Sequence, residues 1–241
     1  MTFRWKIAQA AEIRWWQGYL KNKPTTDYAV WKTKYWQDLL AEMDLEGSYT
    51  EGSFSELKIK NSESKISDTP KKSVYTEGSR ILDAGCGPAG IFMIFKNQKV
   101  DALDPLLDEY EAKLPHFRRE NYPNVQFFSQ PLESFSDKKS VYDTVFCLNA
   151  INHVADLQRA FDVLVDATKS GGTLVVSIDA HNYGFLKTIF QALPGDVLHP
   201  HQFDLAEYSA MLTSRGCQIE RTILKKSEFI FNYYVLVATK I

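Results

Sequence analysis

The chain has 241 residues and a formal net charge of -2, with 28 basic against 30 acidic side chains. That length suits one large α/β domain with an appendage, and the charge balance argues against the basic face of a nucleic-acid binder. No run of eighteen apolar residues occurs, so no transmembrane helix is expected, and the N-terminus lacks the apolar core of a signal peptide. Three scattered cysteines, Cys86, Cys147 and Cys217, point to a reducing compartment, hence the cytoplasm, rather than to a disulfide framework. As small buried residues they fit the pattern better than as nucleophiles.

Residues 1–45 form the first region. All five tryptophans lie there: Trp5, Trp15, Trp16, Trp31 and Trp36. Phe3, Ile7, Ala10, Ile13, Trp16 and Leu20 recur at three- and four-residue steps and predict one helix face. Tyr28, Trp31, Tyr35 and Leu39 predict a second helix, and Lys23-Pro24-Thr25-Thr26 between them offers a hydroxyl as N-cap. Each apolar stripe must be buried against something. The expected role is a helical cap that roofs the carboxyl edge of a sheet; a homodimer interface is the alternative. Residues 46–79 are rich in Ser, Glu and Lys and read as a linker, the hinge of such a cap.

From residue 80 onward strands and helices alternate. Predicted strands are 80–83, 99–104, 125–129, 142–148, 173–178, 217–224 and 231–239. A helix to about Asn97 is expected after the first, another from Pro105, a third over 156–168 closed by Ser170-Gly171-Gly172, and a fourth over 205–214. Such alternation implies a mostly parallel sheet covered on both faces. The short link between the last two strands implies an antiparallel hairpin.

Ligands of an open α/β sheet bind outside the carboxyl ends of its strands, so the residues at those ends carry the functional argument. The first strand breaks into Asp83-Ala84-Gly85-Cys86-Gly87-Pro88-Ala89-Gly90. Gly85, Gly87 and Gly90 fit the G-x-G-x-x-G spacing of a nucleotide-like cofactor site, with turn N–H groups expected to point at the ligand. Asp83 would repel a pyrophosphate there and suits a cationic or amine-bearing ligand. Asp104 ends the second strand, where a carboxylate can accept from a ribose diol; a helix-start acid before Pro105 is the other reading. The third strand leads to Ser129-Gln130-Pro131-Leu132 and the fourth to Leu148-Asn149-Ala150-Ile151-Asn152-His153. His153 suits a general base or a residue that packs the next helix start. His181, Tyr183, His199 and His201 are expected in substrate-facing loops. The His-x-His pair lacks the acids of a metal site, and no metal is expected.

Asp83-Ala-Gly-Cys-Gly-Pro resembles the first motif of the class I S-adenosylmethionine-dependent methyltransferases, and the resemblance extends over about residues 78–240. It implies a Rossmann-like seven-stranded sheet and S-adenosylmethionine as cofactor. Asp83, Gly85, Cys86 and Gly87 would hold the aminocarboxypropyl end, Asp104 and Pro105 the ribose, and Gln130 the adenine amine, in place of the acid common in the family. Leu132 would pack on the adenine face or in the core. Asn149 would lie beside the sulfonium and His153 beside the acceptor. The activity implied is methyl transfer to a small-molecule acceptor, which the sequence does not identify. Two other readings share features with it: a nicotinamide-dependent Rossmann oxidoreductase, against which Asp83 and the terminal hairpin count, and a non-catalytic S-adenosylmethionine-binding module.

Overall fold

The computed structural model describes residues 3–43, 45, 78–181, 203–228 and 231–241, with side chains from residue 8 onward. Residues 46–77 of the linker expected over 46–79, together with Tyr183, His199 and His201 and the side chains of Phe3, Trp5 and Ile7, lie outside the described residues.

Seven strands form one sheet: β1 (Arg80–Ala84), β2 (Lys99–Leu103), β3 (Val125–Phe128), β4 (Tyr142–Cys147), β5 (Thr168–His181), β6 (Cys217–Ser227) and β7 (Phe231–Lys240). Their order is β3-β2-β1-β4-β5-β7-β6. The first five run parallel, and β7 is antiparallel to both β5 and β6. The order reverses between β1 and β4, so the glycine turn after β1 sits at the switch point where such sheets bind ligands.

Strand alternation sorts the core onto two faces. Ile81, Val100, Phe146, Val175 and Val237 point to one face, where Phe92, Tyr110 and Phe117 join them. Leu82, Leu103, Val145, Val176 and Leu236 point to the other. That second face is covered by α4 (Leu157–Ala167) and α5 (Leu205–Thr213). Asp156 caps α4 by accepting from the Arg159 N–H at 3.0 Å, and Asp204 with Glu207 forms a capping box on α5.

The first face is covered differently from expectation. No α-helix follows β1; two 3-10 turns, Gly87–Ala89 and Ile91–Ile94, replace it. Ile91, Phe92, Met93 and Ile94 are all buried, so the segment has no polar face to show solvent and cannot form an amphipathic surface helix. The cover comes from the N-terminus: α1 (Phe3–Leu20) and α2 (Thr25–Glu42) pack there, with α3 (Leu107–Lys113) beside them. Ile13, Leu20, Tyr28, Trp36, Leu39, Leu40 and Met43 belong to the same cluster as Ile81 and Val100. At the far end of α2, Arg221 of β6 donates to the Met43 carbonyl and Lys225 pairs with Glu42.

The helix stripes differ in detail. Ala10 is exposed, and Trp31 is 51% exposed while Trp36 is buried. On α2 the buried row runs through Tyr28, Trp36, Leu39 and Leu40, close to a four-residue step. Pro24 precedes α2 and no hydroxyl caps it. Ser170-Gly171-Gly172 does not close α4; Thr168 does, its N–H and its hydroxyl (2.8 Å) both bonding the Leu164 carbonyl. Gly171, at φ +73°, instead serves the irregular start of β5. Among the described residues no helix is long and apolar enough to cross a membrane.

Candidate functional site

The glycine turn directs its amides into the protein. The Gly85 and Cys86 N–H groups both donate to the Leu103 carbonyl at 2.7 and 3.0 Å, and the Gly87 N–H donates to Asp104 Oδ2 at 3.0 Å. The expectation that these amides point at a ligand is therefore corrected: the turn lies against the end of β2, and its buried donors must be satisfied there. The three glycines have three separate reasons. Gly85 and Gly87 adopt φ +72° and +56°, and a Cβ on Gly85 would lie 2.2 Å from that of Ala150. Gly90 is needed for space, since a Cβ there would sit 2.3 Å from Asp83 Oδ2 and 2.6 Å from the Cys86 carbonyl oxygen.

Asp83 is 2% exposed and Asp104 7%. Asp83 Oδ2 accepts from the Phe92 N–H at 3.0 Å. Burial pushes its carboxyl up to about 7, against the lowering effects of the Phe92 and Ile91 amides and of the Lys32 charge. Asp104 uses both oxygens on backbone: Oδ1 accepts from Leu106 at 2.8 Å and Oδ2 from Gly87. The Leu106 contact spans Pro105, which is half-buried and has no N–H to compete. Burial, and then the Glu12 carboxylate, raise the Asp104 pKa. Each carboxylate oxygen retains a second lone pair for a ligand. Among the described residues neither aspartate makes an ion pair, so the two buried acids beside the turn have no cation in contact, although the Lys32 charge acts on Asp83 from the cap. A ligand with a cationic end and a ribose diol fits that need.

Gln130 is half-buried, its N–H bonded to the Phe128 carbonyl, and Leu132 is buried with Leu103 and Phe135. Cys86 is buried, and burial raises its thiol well above the usual range, as it also raises Cys147 and Cys217. None of the three is set up as a thiolate nucleophile.

At the end of β4, Asn149 adopts φ +56°, a conformation asparagine tolerates, and its N–H donates to Ser177 Oγ at 2.6 Å. Its exposed side chain meets the Tyr35 hydroxyl of α2. His153 is exposed at the end of a separate 3-10 turn, Ile151–His153, rather than at the start of α4. Asn152 is buried: its Nδ2 donates to Asp179 at 2.8 Å, and its Oδ1 accepts from the Tyr208 hydroxyl at 3.0 Å. His181 belongs to β5 rather than to a loop. It is buried, and its ring centroid lies 4.3 Å from that of Phe231.

Several residues near this site were not anticipated from sequence, and they come from the cap. The Trp36 indole N–H donates to the Ala89 carbonyl at 3.0 Å, within the glycine turn. Trp16 would stand 3.9 Å from a Cβ on Gly87. Glu12 accepts from the buried Tyr110 hydroxyl at 2.5 Å, close enough to Asp104 to repel its charge. Lys32 lies in the field of Asp83. The available signal was a lysine at the four-residue step between Tyr28 and Trp36, in an otherwise apolar row.

Residues 57–222, more than half of the chain, match a methyltransferase-domain family. A ubiquinone biosynthesis O-methyltransferase of Paracidovorax citrulli is 26% identical over 156 residues, covering 63% of this chain and 60% of that one. The chain spans only about two to three fifths of the length of the curated relatives it matches. The YcgJ protein of Bacillus subtilis shares the fold at a TM-score of 0.56 and 16% identity, over 68% of this chain and 92% of that one. The Burkholderia thailandensis 1,6-didemethyltoxoflavin-N1-methyltransferase, solved with 1,6-didemethyltoxoflavin and S-adenosylhomocysteine, does so at 0.52 and 15%, over 68% and 72%. With its family match, sheet order and glycine turn, the chain belongs to the class I S-adenosylmethionine-dependent methyltransferases.

Proposed function

We propose that the chain methylates a hydroxyl of a small molecule, bound between the end of β4 and the cap. The observation that carries this reading is the convergence of Asp83, Asp104 and Asn149 at the ends of three neighbouring strands around one glycine turn. The name of the P. citrulli relative supports oxygen as the accepting atom. The bound cofactor supplies an electrophilic methyl group on a sulfonium.

The chain's own residues bind, orient and move a proton. Asp83 faces the cationic amino-acid end and Asp104 the ribose hydroxyls, with Gly85, Cys86, Gly87 and Pro105 shaping the turn around them. Gln130 and Leu132 border the adenine. Asn149 and Tyr35 flank the reacting centre, and the cap aromatics keep water out, which favours an aligned displacement. His153, exposed beside the end of β4, would take the proton from the acceptor hydroxyl when the bound cofactor supplies its methyl group, a role to which imidazole is suited.

The test is incubation with S-adenosylmethionine and a panel of phenols, amines and thiols, read by product mass, with S-adenosylhomocysteine and NAD binding measured by calorimetry. Methylated phenols with S-adenosylhomocysteine binding support the reading. Methylation confined to amines or thiols removes the oxygen assignment, and tight NAD binding without S-adenosylhomocysteine binding removes the reading altogether.

A further inference from the structure

We propose that the outer side of the cap docks on an anionic lipid surface, with Trp15 and Trp31 entering the headgroup layer and the basic side chains of α1 and the α1–α2 turn meeting the lipid phosphates. This is the side of the cap left outside the core.

Among the described residues five large apolar side chains are exposed, and three of them, Trp15, Val30 and Trp31, lie on the cap. They are not scattered singly. Trp15 stacks on Tyr19 with ring centroids 5.0 Å apart, and Tyr19 meets Tyr28 at 6.2 Å. Tyr28 meets Trp31 at 5.8 Å, and Trp31 stacks on Tyr35 at 6.0 Å. One line of rings thus crosses from α1 to α2. Its buried member, Tyr28, belongs to the core and fixes the line, while Trp15 and Trp31 stand from it into solvent. Apolar groups that are held in place together and left outside the core mark a contact surface.

The charge around the line selects the partner. Residues 3–42 carry seven basic and four acidic side chains, while the rest of the chain carries 21 and 26. Lys34 and Asp38 neutralise one another, Glu42 pairs with Lys225 of β6, and Glu12 is turned to Tyr110. Arg14 and Lys21 are exposed, and Lys23 places its Nζ 3.7 Å from the Tyr19 centroid. Tryptophan and tyrosine flanked by long basic side chains, whose stems follow apolar surface, are the composition of a membrane interface. Trp36 spends its indole N–H on Ala89, but the indoles of Trp15 and Trp31 are at the surface, where headgroup oxygens can accept from them. A second copy fits less well, because a two-fold contact through this side would set like charge on like. Single-stranded nucleic acid needs open ring faces, and Trp15 and Trp31 each give one face to a tyrosine, at interplanar angles of 6° and 26°.

The test is co-sedimentation of the full chain with vesicles of phosphatidylcholine alone and of an equal mixture with phosphatidylglycerol. Binding to the mixture should be about 30- to 100-fold tighter, as two or three basic residues near an anionic surface supply, and should weaken with salt. Tryptophan emission should shift to the blue on binding. Trp15→Ser/Trp31→Ser should weaken binding to the mixed vesicles by about tenfold or more, through the apolar area no longer withdrawn from water. Arg14→Glu/Lys21→Glu should bring the two vesicle types to within about threefold of each other. Melting temperature checks that each variant is folded. Absence of binding to the mixed vesicles would overturn the proposal, as would binding that ignores either pair of substitutions. A protein that ignores vesicles but forms a dimer in analytical ultracentrifugation, lost in Trp15→Ser/Trp31→Ser, would assign this side to a second copy and overturn it equally.

Discussion

The strand ends and the N-terminal cap meet at the glycine turn and are held there by different physical means. At the strand ends, position is set by backbone. Gly85, Cys86 and Gly87 are tied to Leu103 and Asp104, and Asp83 to Phe92, so a change of side chain there strains main chain. In the cap, the contacts to the site are made by long side chains: Glu12, Trp16, Lys32, Tyr35 and Trp36. The cap is also uneven, with Trp15 57% exposed while Leu40 and Met43 are fully buried. The contrast separates a cradle fixed by main-chain hydrogen bonds from a cover fixed by side-chain packing.

The strongest way to break this contrast is to remove the cap. If it were a detachable roof, deletion of residues 1–45 would leave a folded domain. Ile13, Leu20, Tyr28, Trp36, Leu39, Leu40 and Met43 are instead buried in the core of one sheet face. At roughly 1.5–3 kcal/mol for each buried large apolar side chain, their sum reaches the whole net stability of about 5–15 kcal/mol typical of a domain. The truncated chain should therefore lack a cooperative thermal transition by circular dichroism. A soluble truncation with a sharp transition would show that the sheet stands alone.

The second test concerns the buried acid of the cradle. Asp83 titrates near 7 when folded and near 3.8 as a free group. Between those values the folded chain holds a proton that the unfolded chain has released, so stability falls as pH rises from about 4 to 7. The slope is about 1.4 kcal/mol per pH unit for one group, to be read from urea midpoints of the cofactor-free protein. Asp104 adds in the same direction, while Lys32 and Glu12 face these acids from the cap with opposite effects. Asp83→Asn should flatten the profile, and an equally steep profile in that variant would place the titrating group elsewhere.

A smaller change probes the backbone logic directly. Gly90→Ala puts a methyl carbon 2.3 Å from Asp83 Oδ2, and relief of such a clash costs about 1–3 kcal/mol. The melting temperature and the affinity for S-adenosylhomocysteine should fall together, because the displaced oxygen belongs to Asp83, the carboxylate proposed to face the cofactor's cationic end. Loss of stability with full affinity would separate Asp83 from the cofactor.

The smallest effects distinguish two cap tryptophans. Trp36→Phe removes the indole donor to Ala89 and should cost about 1 kcal/mol. Trp31→Phe, at an exposed position, should stay within about 0.5 kcal/mol. Equal effects in urea unfolding would erase the distinction between the buried and exposed sides of α2.

Much of the cradle was legible in the sequence because it is local. A short apolar strand, an aspartate and three glycines specify one strand–turn unit, and the strand ends at Asp83, Asp104 and Asn149 follow from alternating apolar runs. The antiparallel terminal pair followed from its short connection. What was misread depended on neighbours distant in the chain. The run Ile91–Ile94 has the apolar content of a helix, but whether it coils as one depends on what covers the sheet beside it. That cover is α2, whose Trp36 meets Ala89 across 53 positions of sequence. The direction of the turn amides was equally beyond pattern reading, because Leu103 and Asp104 reach them only once β2 has paired with β1.

The sequence by itself determined the class of fold, the glycine turn and the carboxylates at the strand ends, since each is written within a few consecutive residues whose backbone preferences are short-ranged. Only the tertiary structure decided that the N-terminal helices complete the core and bring Lys32, Tyr35 and Trp36 to the site. Helical periodicity says which face must be buried, but the partner of that face is chosen by packing among segments far apart in the chain.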